Sequence, residues 1–203
     1  MEDAAYKRKS SKAQLILKTS EELFRKHGIK RVTVEEICQK ASVSKMTFYK
    51  YYENKEELFK QIMNNILEFS IDKVKEVSRM DISIIEKIRI LLKMKEEYLS
   101  GINDEFFSDY VNPTPELKSF LEDYYARGIK LFVDFIKEAQ EKGEVRKEIK
   151  PEFLIAVLNK LVDLVQDPQL RNLYSSTIEF SLEINNFFYC GILPLDKVEQ
   201  KSV

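Results

Sequence analysis

From Thr33 to Leu58 the chain reads TVEEICQKASVSKMTFYKYYENKEEL, and three helix-start signals fall inside that one stretch. Thr33 followed by Glu36 is a capping box, in which the hydroxyl takes a free backbone N–H and the carboxylate reaches back to another. A helix is therefore expected from Val34. Ser44 ahead of Lys45 can cap a second helix, and Asn54 with Glu57 three residues on marks a third. Val34, Ile37, Cys38 and Ala41 recur at helical spacing in the first, Phe48 and Tyr52 share a face of the second, and Leu58, Phe59, Ile62 and Ile66 do so in the third. Each helix has one side to bury. Only Ser42 and Val43 separate the first two, so these must cross sharply over a shared core, the helix-turn-helix arrangement.

With Phe48 and Tyr52 turned inward, the second helix shows Lys45, Met46, Thr47, Tyr49 and Lys50 on its outer face. Cations and short hydroxyls on a rigid rod suit the DNA major groove, where lysines meet phosphates and Thr or Lys reach base edges. A plain solvated surface carries lysines too, so this face alone leaves both readings open. Charge distribution adds to the first. The whole chain is near neutral at −1, yet residues 1–60 hold 14 Lys and Arg against 9 Asp and Glu, a net of +5, and the remainder is at −6. A basic head on an acidic body fits a nucleic-acid-binding module joined to something else.

Elsewhere the pattern is helical almost throughout, with five Gly and five Pro in 203 residues, and the fold class expected is all-α. Residues 1–10, with Lys7, Arg8 and Lys9 clustered, read as a mobile basic arm. Ala13, Ile16, Leu17, Leu23 and Phe24 mark a helix closed by Lys26, His27 and Gly28, which completes a three-helix head. After Asn54 the third helix runs on through Ile62, Ile66, Phe69, Ile71 and Val74 to near Arg79, long enough to connect head and body. The expected domains are 1–60 and 61–203. In the body, Ile84, Ile85, Ile88, Leu91, Leu92, Tyr98 and Leu99 form one apolar stripe, with Lys95 as an exposed break. Leu117 to Ala139 keeps helical spacing for more than six turns and stops at Gly143. The segment after Pro151 leaves almost no polar side, and a last pattern runs from Leu170 through Tyr174, Ile178, Leu182 and Phe188 to Gly191. These two can pair with a second copy as a four-helix interface through Leu154, Leu158, Leu161, Val165, Ile178, Leu182 and Phe188, or serve as central core.

ASVSKMTFYKYYENKEELF closely resembles the recognition segment of the tetracycline-repressor (TetR) family of bacterial regulators. Ala41, Val43, Ser44, Thr47, Tyr49, Tyr52, Lys55, Glu56 and Leu58 match its pattern, as do Leu23, Phe24, Gly28, Thr33 and Ile37 upstream; the likeness spans about Ala13 to Ile62. Two departures stand out. Ser42 and Met46 occupy positions where that family often has Gly, so the turn is expected to avoid a strained positive φ, and a thioether is added on the recognition helix. The resemblance implies a homodimeric, ligand-responsive regulator, most often a repressor, holding a near-palindromic double-stranded DNA operator. By position against the motif, Lys45 and Thr47, with Met46, are candidates for base contact, and Thr33, Ser44, Tyr49, Tyr51 and Lys55 for phosphate contact; Lys50 shares their face. It also implies a small effector in the body and a dimer made by the last two helices. Tyr98, Phe106, Phe107, Tyr110, Phe120, Tyr124 and Tyr125 can line such a pocket, and an apolar or aromatic effector would suit them; aromatics at helical spacing are as readily core.

Catalysis has little support. His27 is the sole histidine and stands at a helix end, no Cys–His or Ser–His–Asp spacing occurs, and no metal or cofactor motif is present. Cys38 and Cys190 lack metal-like spacing and read as buried thiols of a reducing cytoplasm. No signal segment or eighteen-residue apolar run is seen, so no membrane role is expected. An all-α dimeric adaptor using its basic head for a protein partner is the competing reading.

Overall fold

The computed structural model describes residues 2–111, 113–165 and 167–192, and among them it shows ten α-helices and no strand. They are α1 (Glu2–His27), α2 (Val34–Lys40), α3 (Lys45–Tyr51), α4 (Lys55–Ser78), α5 (Ile84–Leu99), α6 (Asp104–Val111), α7 (Pro115–Glu141), α8 (Pro151–Leu164), α9 (Pro168–Arg171) and α10 (Thr177–Ile192). No helix among the described residues is long and apolar enough to cross a membrane. Two compact units emerge, Met1–Phe69 with Gly101–Phe120, and Ser70–Ser100 with Leu121–Val203. They do not follow the linear division at residue 60, because residues 101–120 fold with the N-terminal segment, and α4 contributes to both units.

In the first unit Ile16 and Phe24 of α1, Ile37 of α2, Phe48 of α3, Leu58, Phe59 and Ile62 of α4, and Phe106 and Phe107 of α6 are buried. Phe59 meets Phe24 edge-on with ring centroids 6.0 Å apart and Phe106 at 5.7 Å, so one row of rings joins α1, α4 and α6. Gly28 ends α1 at φ +73°, and a Cβ there would stand 2.8 Å from the Glu105 Cβ; both the turn and the approach of α6 demand glycine. Beyond it, Asn103 donates from its backbone N–H to the Arg25 carbonyl at 2.9 Å and from its side chain to Lys26 at 2.8 Å, closing open carbonyls of α1. At the other end α1 begins at Glu2, so the segment expected as a mobile arm is helical. Ala, Lys and Arg dominate it and no Gly or Pro interrupts them, which lets the helix propagate.

The second unit packs around Ile84, Ile88, Ile136, Ala139, Val145, Leu154 and Phe188. Ser83 and Glu86 form a capping box at the start of α5. Lys87, buried on the inner face of α5, donates to the Ser78 carbonyl at 2.7 Å and so closes the end of α4. Gly143, at φ +71°, terminates α7 as expected, with Glu144 N–H reaching the Ala139 carbonyl at 2.9 Å and Gly143 N–H reaching Gln140 at 3.1 Å, the paired bonds of a Schellman end. The pattern from Leu170 onward is not one helix. Asp167 caps the single turn of α9, and Ser176 then accepts the Glu179 N–H at 3.0 Å to start α10 afresh. Serines beside a helix start compete for backbone groups and break a run that apolar spacing alone would continue.

One expectation on this unit is corrected. Lys95 is not an exposed break: it is half-buried in the α5 stripe, with no hydrogen-bond or ion-pair partner among the described residues, and burial lowers its ammonium from 10.5 to about 8. In α8, Phe153 is 62% exposed while Leu154 of the same turn is buried. Cys38 is buried, and burial raises its thiol; the Cys190 side chain lies outside the described residues.

Candidate nucleic-acid interface

The face of interest is built from local caps outward. Thr33 N–H donates to Glu36 Oε2 at 2.8 Å and Glu36 N–H donates to Thr33 Oγ1 at 3.2 Å, so the expected capping box starts α2. The Thr33 backbone N–H and, at 3.1 Å, the Thr33 hydroxyl donate to the Glu36 carboxylate and hold it below its ordinary value. At the other end Ser42 N–H reaches the Gln39 carbonyl at 3.2 Å and Val43 N–H reaches Cys38 at 2.9 Å. This is a Schellman ending, and it requires a left-handed residue at Ser42. The expectation that Ser42 avoids positive φ is therefore corrected: it stands at +51°. The two-residue link leaves no other way to close the α2 carbonyls and turn the chain into α3.

Ser44 caps α3, accepting the Thr47 N–H at 3.1 Å, and its hydroxyl lies 3.0 Å from Thr47 Oγ1. Phe48 is fully buried, and the Tyr52 hydroxyl donates to the Ala13 carbonyl of α1 at 3.0 Å. Those two anchors fix the rotation of α3 about its axis. Lys45, Met46, Tyr49 and Lys50 consequently face out, Met46 at 85% and Tyr49 at 55% exposure, with Thr47 and Tyr51 half-buried. Lys45 forms an ion pair with Glu35 of α2; the hydrogen bond between them holds the Glu35 carboxyl below and the Lys45 ammonium above their ordinary values. Both are exposed, so the pair positions the lysine more than it stabilises the fold.

Lys55, expected at a phosphate, donates from its ammonium to the carbonyls of Ile29 at 2.9 Å, Val32 at 3.1 Å and Lys30 at 3.4 Å, which engages its three N–H donors within the chain. A cation in the first turn of a helix opposes the helix dipole. That unfavourable placement is the sequence signal that its charge is used elsewhere. On the opposite side of the same loop, Asp109 of α6 accepts the Ile29 N–H at 3.1 Å and lies 3.6 Å from the Lys30 ammonium. Sequence reasoning missed Asp109, which is 80 positions from Ile29 and carries no local signal.

The aromatic residues expected to line a pocket are not brought together in one unit. Phe106 and Phe107 are buried and belong, with Tyr110 and Phe120, to the first unit. In the second, Tyr98 and Tyr124 are half-buried, Arg127 stands over the Tyr124 ring at 5.1 Å, and Tyr125 is exposed with its hydroxyl bonded to Asn159. Of the expected dimer residues, Leu154, Val165 and Phe188 are buried in the chain's own second unit, while Leu158, Leu161, Ile178 and Leu182 are half-buried. An α8 with two apolar faces explains the difference, one turned to its own core and the other outward.

Residues 16–62 match the family described as bacterial regulatory proteins, tetR family. An HTH-type transcriptional regulator of Bacillus subtilis (strain 168), YvdT, is 30% identical over 69 residues, 34% of this chain and 36% of that protein, so the likeness spans about a third of that relative. Among solved structures, the transcriptional regulator FadR of Bacillus subtilis in complex with stearoyl-CoA superposes with a TM-score of 0.65 at 16% identity, covering 88% of this chain and 98% of that one. A protein from Saccharomonospora viridis in complex with choline gives 0.68 at 17% identity, covering 91% and 99%. At such identities the structures establish the fold, and the head supplies the sequence signature. Residues 16–62 thus carry the sequence signature of the tetR family of bacterial regulatory proteins, and the chain shares its fold with solved regulators of that kind.

Proposed function

We propose that the protein is a ligand-responsive transcriptional regulator that binds duplex DNA through α3, acts as a homodimer on an inverted-repeat operator, and represses until a small apolar or aromatic effector releases it. The observation that carries this reading is the outward face of α3. It is locked in rotation by Phe48 and Tyr52 and presents Lys45, Met46, Tyr49 and Lys50 to solvent. In it Lys45, Met46 and Thr47 meet base edges, and Thr33, Ser44, Tyr49, Lys50 and Tyr51 lie along phosphates. Two heads would occupy successive major grooves roughly 34–36 Å apart in the simplest arrangement. The effector acts only by binding one arrangement of the heads better than the other. The relatives' ligands, stearoyl-CoA and choline, differ so much in chemistry that the fold class leaves the effector's identity open.

Support for the dimer comes from Phe153 and Phe187, 62% and 73% exposed on α8 and α10, large apolar groups that a partner would cover. Changing both to Asp is expected to give a folded monomer by sedimentation; an unchanged dimer would remove this face from the interface. The reading as a whole is tested by selecting bound duplexes from a random pool at moderate salt, with a Lys45→Ala, Tyr49→Ala variant alongside. An inverted repeat enriched by the native protein alone is the expected result. No enrichment from a folded dimer would favour an adaptor whose basic head serves a protein.

A further inference from the structure

The outer face of α3 is less polar in use than in composition. The Ser44 and Thr47 hydroxyls lie 3.0 Å apart and are occupied by each other and by the cap. The Lys45 ammonium is held by Glu35. Met46 stands between them with 85% of its surface exposed, the highest value among the exposed large apolar side chains of the described residues. Tyr49 follows one turn later on the same face, 55% exposed. An unbranched thioether in that position is not core, and with no acceptor or donor to satisfy it meets a surface without rearrangement. Within the major groove one base feature is apolar, the C5 methyl of thymine; the other edges present donors and acceptors.

Resting on the DNA-binding reading above, we infer that Met46 is a specificity-determining residue that packs on the C5 methyl group of a thymine in each operator half-site. Lys45 and Thr47 already share their polar groups with Glu35 and Ser44, whereas Met46 has its thioether turned to solvent. Discrimination at that position is against bases lacking the methyl, and it adds no charge contact.

The test starts from a duplex enriched by the full-length protein. Each thymine of one half-site is replaced in turn by deoxyuridine, which keeps the pairing and removes only the methyl. The native protein is expected to lose about three- to fivefold in affinity at one position, the worth of one buried methyl. Met46→Ala should bind the thymine duplex correspondingly more weakly and show no further loss with deoxyuridine there, with an unchanged salt slope because no phosphate contact is lost. Met46→Gln, of similar length but polar, should lose the same discrimination. A native protein indifferent to every replacement, or a Met46→Ala variant that still discriminates at the same position, would overturn the inference while leaving the regulator standing. Failure to enrich any duplex would remove the DNA-binding reading itself, and this inference with it.

Discussion

Ser42 carries a left-handed backbone at φ +51° without being glycine. Such a conformation costs a residue with a Cβ about 1–2 kcal/mol, partly offset on substitution by the greater freedom of glycine when unfolded. Ser42→Gly is therefore expected to stabilise the protein by about 0.5–1 kcal/mol in denaturant unfolding; a loss of stability would mean that the serine side chain supports the turn. Lys55 gives the opposite expectation. Its three donors close three carbonyls of the loop before α2, so Lys55→Met should destabilise the protein by about 1–3 kcal/mol. The salt slope of DNA binding should stay as it was. A slope reduced by about one with stability intact would return this lysine to the phosphates.

At the scale of the helix, α5 holds an ammonium in an apolar stripe, flanked one turn either way by Leu91, Leu92, Tyr98 and Leu99. Its folded value of about 8 lies below the ordinary 10.5. Below pH 8 both folded and unfolded chains carry the charge and the burial penalty is fully present. Between about 8 and 10.5 the folded chain has shed a proton that the unfolded one still binds, so stability rises with pH through that window. The rise amounts to a few kcal/mol at most. Lys95→Met should flatten this part of the stability profile and raise stability at neutral pH, whereas identical profiles would show that the ammonium escapes to water. The same scale explains what was readable in the sequence. The starts at Val34, Lys45 and Lys55 depend on caps three residues apart and could be read directly. The break before α10 was hidden because Leu170, Leu173, Tyr174 and Ile178 keep helical spacing across it. The burial of Lys95 was hidden because a charge in a stripe reads as exposure until its neighbours are known.

For the whole molecule, the linear order of the chain concealed that residues 101–120 fold with the N-terminal segment. That association rests on Phe106 against Phe59, on Asn103 closing α1 and on Asp109 holding the Ile29 N–H, contacts between residues far apart in sequence. Phe106 and Phe107, expected at a pocket wall, are buried within this unit. Which side of α3 turns out was, by contrast, readable from Phe48 and Tyr52, and of the residues expected on that outer face Lys45, Met46, Tyr49 and Lys50 are exposed while Thr47 is half-buried. The central claim, that this face enters the major groove twice in a symmetric complex, is tested most directly by dimethyl sulfate protection on an enriched duplex. This reagent reports guanine N7 in the major groove and adenine N3 in the minor. The account predicts two symmetric clusters of protected guanine N7, both lost in the Lys45→Ala, Tyr49→Ala variant; protection confined to adenine N3, or a single unrepeated cluster, would contradict it.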